Sequence, residues 1–215
     1  MKLSRSDFLN QYETGQLNIA FIGMSNIGKS YAASRIAQHY NFTLFEIDQI
    51  IWKLLGHESM EEFAAWQGQP YEDDYKARER RSIELETQAT LQALNEKTTG
   101  NRLLDTTGSV IYVNKQTLKT LIQTHYIIYI TASDSDMERL HHDYFENQKP
   151  LIWADQFTHN PAHSNLDNIK NSYPKLLDSR ARQYQALADI SLTSRFILDA
   201  QTSAKDIFTA ITPSV

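Results

Sequence analysis

Eight consecutive residues, Gly23-Met24-Ser25-Asn26-Ile27-Gly28-Lys29-Ser30, fit the spacing G-x-x-x-x-G-K-[ST] of a phosphate-binding loop. Glycine at both fixed positions lets the backbone curl, so that successive N–H groups can face an anion. A lysine at the seventh position can reach the β- and γ-phosphates of a nucleoside triphosphate, and the serine hydroxyl after it can sit on Mg²⁺. The flanks suit this chemistry. Residues 17–22 read as a short apolar strand entering the loop, and residues 31–40 as the helix leaving it. The helix N-terminus adds its dipole and unpaired donors. Gly23, Ser25, Asn26, Ile27, Gly28, Lys29, Ser30 and Tyr31 are the nucleotide contacts expected from this stretch.

Carboxylates supply the next layer. Asp105 closes the apolar run 102–105, where a carboxylate can order the water shell of Mg²⁺, a hard ion that keeps much of its hydration. Glu46 and Asp48 flank Ile47 at the end of a second strand candidate, 42–47, and in a strand both would face one side. One of them could order metal water while the other accepts a proton from a substrate hydroxyl. Lys76, Arg78, Arg80 and Arg81 crowd the start of a long helical stretch, and Arg180 and Arg182 belong to a later one. One cation from each cluster, turned inward, could clamp an anionic substrate, and arginine suits a carboxylate or phosphate best. Residues 146–165 carry two prolines and little periodicity and read as a loop or lid bearing Lys149, His159 and His163. A cation on such a lid could close on the transferring phosphoryl group. The spacing of His141, His142 and His159 is poor for a metal site.

The elements that must position these groups alternate. Strand candidates at 17–22, 42–47, 102–105, 125–130 and 190–192 are separated by helical stretches, the longest over 71–95 and 173–187. Alternation of this kind predicts a parallel sheet covered on both faces, with the ligand at the carboxyl ends of the strands. The 215 residues suit one domain, and 41% apolar against 22% charged residues permits a globular core. A net charge of −5 argues against a nucleic-acid surface. The absence of cysteine removes thiol catalysis and disulfides. Neither a signal peptide nor a membrane span is expected, which makes the cytoplasm the expected location. The composition carries no sign of oligomeric state.

From residue 18 to 211 the chain resembles the shikimate kinases, a branch of the P-loop kinases. The strand and loop of that family match residues 19–30. Its D-x-D motif matches Glu46-Ile47-Asp48-Gln49, and a further run matches Gly56, Ser59 to Phe63, Gly68 and Tyr75-Lys76-Ala77-Arg78-Glu79. Its glycine triplet falls on Thr106-Thr107-Gly108, its lid motif on Lys149-Pro150-Leu151, and its R-N-P-L-Y run on Arg180 to Tyr184. The resemblance implies a three-layer α/β/α fold with a central five-stranded parallel sheet, helices on both faces and a mobile lid. It implies one domain over 1–215, with a substrate-binding helical region about 48–80 and a lid about 143–167. It also implies ATP with Mg²⁺ as cofactor, and transfer of the γ-phosphoryl group to a hydroxyl of a small anionic acceptor, shikimate or a related compound. The roles carried over are catalysis for Lys29, Asp48 and Lys149, adenine contact for His142, and acceptor contact for Asp48, Lys76, Thr107, Gly108 and Arg180. Metal contact, read from the residues themselves, falls to Ser30, Glu46 and Asp105, and Asp105 departs from the small residue usual in that family. Two glycines of the acceptor site are threonine here and two arginines are lysine, so the acceptor half is altered while the nucleotide half is intact. A non-catalytic nucleotide-binding protein of the same fold, or a kinase for a nucleotide or sugar acid, are the alternatives this alteration raises.

Overall fold

A computed structural model describes residues 3–56, 60–146 and 151–214, apart from the side chains of residues 60 and 61. In chain order the elements are α1 (Arg5–Glu13), β1 (Asn18–Gly23), α2 (Lys29–Tyr40), β2 (Thr43–Glu46), α3 (Ile47–Leu55), α4 (Met60–Gln67), α5 (Tyr75–Asn95) and β3 (Arg102–Asp105). A 3₁₀ turn (Val110–Tyr112) follows, then α6 (Lys115–Thr124), β4 (Tyr126–Thr131), α7 (Asp134–Glu146), α8 (Asn165–Leu187), β5 (Ile190–Thr193), α9 (Ser194–Leu198) and α10 (Ala204–Ile211).

The five strands are all parallel, in the order β2-β3-β1-β4-β5. Burial explains who sits where. β1 and β4 are nearly continuous apolar runs, buried along almost their whole length, and they pair at the centre of the sheet. β2 and β5 are short, partly exposed and at the edges. Strands covered on both faces by helices lose the apolar–polar alternation that a half-exposed sheet would show. Chain order reverses at β1, which has β3 on one side and β4 on the other. The crevice beyond the carboxyl ends of these strands is the natural ligand position in such a sheet. Gly23 and Asp105 both end there. Among the described residues no helix is long and apolar enough to cross a membrane.

Three expectations need correction. β2 ends at Glu46 and α3 begins at Ile47, so Glu46 and Asp48 do not share the face of one strand. Asp48 instead occupies the first turn of a helix, where the positive end of the helix dipole favours a carboxylate. The later helix starts eight residues before the expected position 173. Ser164 caps α8, its hydroxyl accepting the Asp167 N–H at 3.1 Å, and Pro174 lies inside the helix. A proline that deep removes one helical hydrogen bond and is therefore easily read as a helix start. The sequence predicts an N-terminal helix over 6–14 with Ser6 as its cap; Ser4 caps it instead, through the Asp7 N–H at 3.1 Å. The sequence also offers Ser59 as the cap of a helix over 59–66, with Glu62 three residues on; Ser59 lies outside the described residues, and α9 and the 3₁₀ turn have no counterpart in the sequence reading.

Candidate active site

The loop between β1 and α2 is shaped by backbone that side chains would obstruct. Gly23 has φ +144°, and a Cβ there would stand 2.8 Å from the Ile130 carbonyl oxygen of the neighbouring strand. Lys29 opens α2 and is buried, with its Nζ donating to the carbonyl oxygens of Gly23 (3.1 Å) and Met24 (2.8 Å). Burial pushes its pKa down, while Asp105 and Asp48 pull it back up. Two carbonyls leave one of its three N–H donors over, and a desolvated ammonium with a donor to spare has a local reason to meet phosphate oxygens.

Asp105 is buried at the end of β3, directly across from Glu46 in the β2–β3 register. Desolvation raises its pKa; Lys29 and a hydrogen bond from the Ser30 side chain lower it. Its Oδ1 is buried without a hydrogen-bond partner. An orphaned carboxylate oxygen costs roughly 1–3 kcal/mol or more if left unfilled, so its place next to Ser30 and Lys29 fits a hydrated cation. Among the described residues no group of three or more acidic or histidine side chains could hold a metal by itself. Ser30 and Asp105 would therefore hold a magnesium ion mainly through water and nucleotide oxygens. Glu46 accepts from Gln49 Nε2 at 2.7 Å and does not line the cavity beside the loop.

That cavity, about 210 Å³, is walled by Ser25, Asn26, Lys29 and Ser30 on one side and by Asp48, Gln67, Ser82, Glu86, residues 106–109, Ile152 and Arg180 on the others. The structure thus brings Lys29, Asp48, Thr107, Gly108 and Arg180 together. Thr106 and Thr107 line the cavity without filling it. The Thr106 hydroxyl donates to the Phe21 carbonyl at 2.7 Å, and the Thr107 hydroxyl donates to Glu86 in the cavity wall. Gly108 packs against the phosphate loop so closely that a Cβ there would lie 2.7 Å from Ser25 Oγ.

Arg180, from the middle of α8, is buried and engages two carbonyls, Nη1 to Gly108 at 3.0 Å and Nη2 to Ile152 at 2.7 Å, with its guanidinium 5.4 Å from the Tyr112 ring centroid. It therefore ties the loop after β3 to the segment that follows residue 150. Other bonds hold the same segment. Glu79 accepts the N–H groups of Trp153 (2.6 Å) and Ala154 (2.8 Å), and the Tyr75 hydroxyl donates to the Leu151 carbonyl at 2.6 Å. Trp153 is buried against Tyr144, Phe157 and Tyr173. Residues 151–154 of the expected lid are thus fastened to α5 and α8, with Ile152 in the cavity wall, while Lys149 lies outside the described residues.

Several expected residues stand elsewhere. Lys76 is exposed on α5 and does not line the cavity. The buried positions of that helix are Tyr75, Glu79, Ser82, Leu85, Glu86, Ala89, Thr90 and Ala93, and a residue one step on from Tyr75 turns away by about 100°. Arg78 bonds the Gln67 carbonyl and Glu72, and Arg80, Arg81 and Arg182 are exposed. His142 is exposed on α7 and lies 3.4 Å from Glu146. The α7 cation that reaches the loop is Arg139, whose Nη2 donates to the Asn26 carbonyl at 3.2 Å. Tyr31 is 42% exposed and carries Arg35 on its ring. Glu86 was not anticipated at all. It is 3% exposed and accepts the hydroxyls of Thr107 and Ser109 (2.5 Å to the latter). Burial raises its pKa to about 7 against the pull of those two bonds. The signal for it was present, since Glu79, Ser82 and Glu86 fall on the apolar stripe of α5.

Comparison with known proteins places this architecture. The model of the family described as shikimate kinase matches residues 25–212. Shikimate kinase from Acinetobacter baumannii in complex with shikimate is 17% identical over 93% of each chain, with a TM-score of 0.59. The enzyme from Bacteroides thetaiotaomicron is 16% identical over 91% of this chain and 94% of its own, also at 0.59. That from Aquifex aeolicus is 17% identical over 91% and 96%, at 0.56. No curated protein sequence matches the chain. At such identities the solved structures establish the fold, and the family model, covering most of the chain, establishes descent: the chain belongs to the shikimate kinase family and is an ATP-dependent small-molecule kinase.

Proposed function

We propose that the protein transfers the γ-phosphoryl group of MgATP to a hydroxyl of a small polyhydroxylated acceptor held in the cavity between the phosphate loop and α3, α5 and α8. The observation that carries this reading is the joint lining of one cavity by Lys29 and Asp48, cation and carboxylate facing the same space. Lys29 and the loop amides bind the β- and γ-phosphates and stabilise charge that spreads over the equatorial oxygens. Ser30 and Asp105 are the residues that would hold magnesium, which neutralises phosphate charge when bound. Asp48 orients the acceptor hydroxyl and accepts its proton. Arg180 fixes the loop 106–109 against the lid segment, which excludes water from the reacting groups. Shikimate, bound in the Acinetobacter baumannii enzyme, is the reference acceptor to assay.

The test is acceptor-dependent release of ADP from the purified protein with ATP and magnesium, across shikimate and a panel of polyols and sugar acids, with the phosphorylated product identified by mass. Nucleotide binding with no acceptor-dependent ADP from any member would instead favour a nucleotide-binding protein without turnover.

A further inference from the structure

The four residues after β3, Thr106 to Ser109, all line the cavity, and side chains and backbone from three elements hold them. The Thr106 hydroxyl donates to the Phe21 carbonyl of β1 at 2.7 Å. From α8, Arg180 Nη1 donates to the Gly108 carbonyl at 3.0 Å, and the Tyr184 hydroxyl donates to the same oxygen. From α5 comes the buried Glu86, which accepts the Thr107 hydroxyl on one oxygen and the Ser109 hydroxyl on the other, the latter at 2.5 Å. Thr107 Oγ1 in turn accepts the Ser109 N–H at 3.0 Å. One carboxylate thus clasps the loop at the residues on either side of Gly108.

Two donors of this loop are left over. Among the described residues, the N–H groups of Thr107 and Gly108 meet no acceptor in the protein, although both residues are buried. Buried backbone N–H groups are nearly always paired, so unpaired ones in a cavity wall are set for an oxygen of whatever fills the cavity. The neighbouring hydroxyls are their natural competitors, because a free hydroxyl can turn to the same ligand oxygens. An ionised carboxylate only accepts, so it draws both hydroxyl protons to itself. Without Glu86 the two hydroxyls keep only each other, at 3.1 Å, and the loop is held from β1 and α8 alone.

We infer that Glu86 is a positioning residue of the acceptor site: it occupies the Thr107 and Ser109 hydroxyls and fixes the loop so that the Thr107 and Gly108 N–H groups stay free for oxygens of the acceptor. The inference rests on the kinase reading above for the identity of the cavity as the acceptor site. It holds for an anionic acceptor and for a neutral one, since carboxylate and hydroxyl oxygens both accept from N–H groups.

Kinetics with shikimate and MgATP on the full chain test this at pH 8, above the Glu86 pKa of about 7, beside titration of a non-hydrolysable ATP analogue with magnesium. Glu86→Ala is expected to raise the KM for shikimate at least about tenfold, with kcat within about threefold and affinity for the nucleotide analogue within about twofold. Glu86→Gln should keep KM within about threefold of the wild type, because an amide can still bond both hydroxyls, accepting one and donating to the other. Ser109→Ala should give part of the loss alone and none on top of Glu86→Ala. Hydrogen exchange without ligand is the second measurement. The segment 106–109 should exchange at least about tenfold faster in Glu86→Ala and near the wild-type rate in Glu86→Gln. An unchanged KM in Glu86→Ala overturns the inference, and so does an equal loss for shikimate and nucleotide, the mark of general damage. A Glu86→Gln chain as impaired as Glu86→Ala overturns it too, because charge rather than the two ties would then matter. If the wild-type chain does not phosphorylate shikimate, that acceptor is wrong and the exchange rates decide: equal rates in wild type and Glu86→Ala overturn the inference.

Discussion

The two halves of the active site are built by different means. The nucleotide half is one contiguous stretch of backbone, Gly23 to Ser30, whose binding groups are N–H donors at the start of α2 and one buried lysine. The acceptor half is assembled from side chains of α3, α4, α5, the loop after β3, the lid segment and α8, more than 130 residues apart in sequence. Backbone recognition tolerates little change, because any Cβ at Gly23 strikes the neighbouring strand. Side-chain recognition is freer to drift, because its groups are held by contacts that can be exchanged one at a time: the Thr107 hydroxyl donates to Glu86, and Arg180 braces two carbonyls. The same fold can therefore keep its phosphate donor while its acceptor changes.

The sharpest way to break this division is to remove one group from each half. Lys29→Ala should lower kcat at least about 10³-fold, since it deletes the desolvated cation at the phosphates. Steady-state ADP release measures this, and a drop of less than tenfold would mean that the phosphates lie elsewhere. Asp48→Asn should lower kcat by about 10²–10³-fold, as expected for loss of a catalytic base, while nucleotide affinity by titration changes less than about threefold. If nucleotide binding disappeared with Asp48, the carboxylate would belong to the donor half and the division drawn above would fail.

Gly108 is where the halves touch. A methyl group there would lie 2.7 Å from Ser25 Oγ and 3.0 Å from Ser25 N. Gly108→Ala should therefore weaken nucleotide and acceptor together, each by about tenfold, with a stability loss of roughly 1–3 kcal/mol from overpacking. Thermal unfolding and the two titrations give the three numbers. An effect on one ligand alone would show the halves to be mechanically independent.

How much of this could be read from the chain follows the same line. The phosphate loop, its strand and helix, and Asp105 at the end of β3 were legible because each is a local pattern. The five parallel strands were legible because alternating elements leave few topologies. The acceptor half was read from its charges, and charge misled. On α5 the conspicuous residues Lys76, Arg78, Arg80 and Arg81 lie off the buried stripe, whereas the quiet glutamates at 79 and 86 lie on it. A buried glutamate is costly unless hydrogen-bonded, so sequence reading assigns it to solvent by default. Only the tertiary placement of Thr107, Ser109 and the Trp153–Ala154 amides shows that both have partners. Arg139, three residues before His142 on α7, donates to the Asn26 carbonyl of the loop, a contact with no local pattern to announce it.

Glu86 also carries a stability signature that separates it from the loop. Its carboxyl titrates near 7 in the folded chain against about 4.5 when unfolded, chiefly through desolvation. The folded state thus binds its proton more tightly, and stability falls as pH rises from about 4.5 to about 7. Above that window the full penalty, on the order of 3 kcal/mol, is present. Glu86→Gln escapes it. The melting temperature of the variant minus that of the wild type should be several degrees more positive at pH 8 than at pH 5, all other titrations cancelling in the difference. A difference independent of pH would mean that Glu86 stays ionised throughout, in closer contact with cations than its geometry shows.

The smallest expected effect is the most discriminating about where the acceptor lies. Lys76 is exposed on α5 and is not part of the cavity wall. An exposed ammonium at that distance is screened by water and salt and contributes little to a ligand it does not touch. Lys76→Ala should leave kcat unchanged and move the KM of the acceptor by less than about twofold. A tenfold rise in KM at constant kcat would instead place the acceptor's bound position against the outer face of α5. The cavity bounded by Asp48, Glu86 and Arg180 would then be a passage to the phosphate loop rather than the seat of the acceptor. The loop that binds the nucleotide would stand as before.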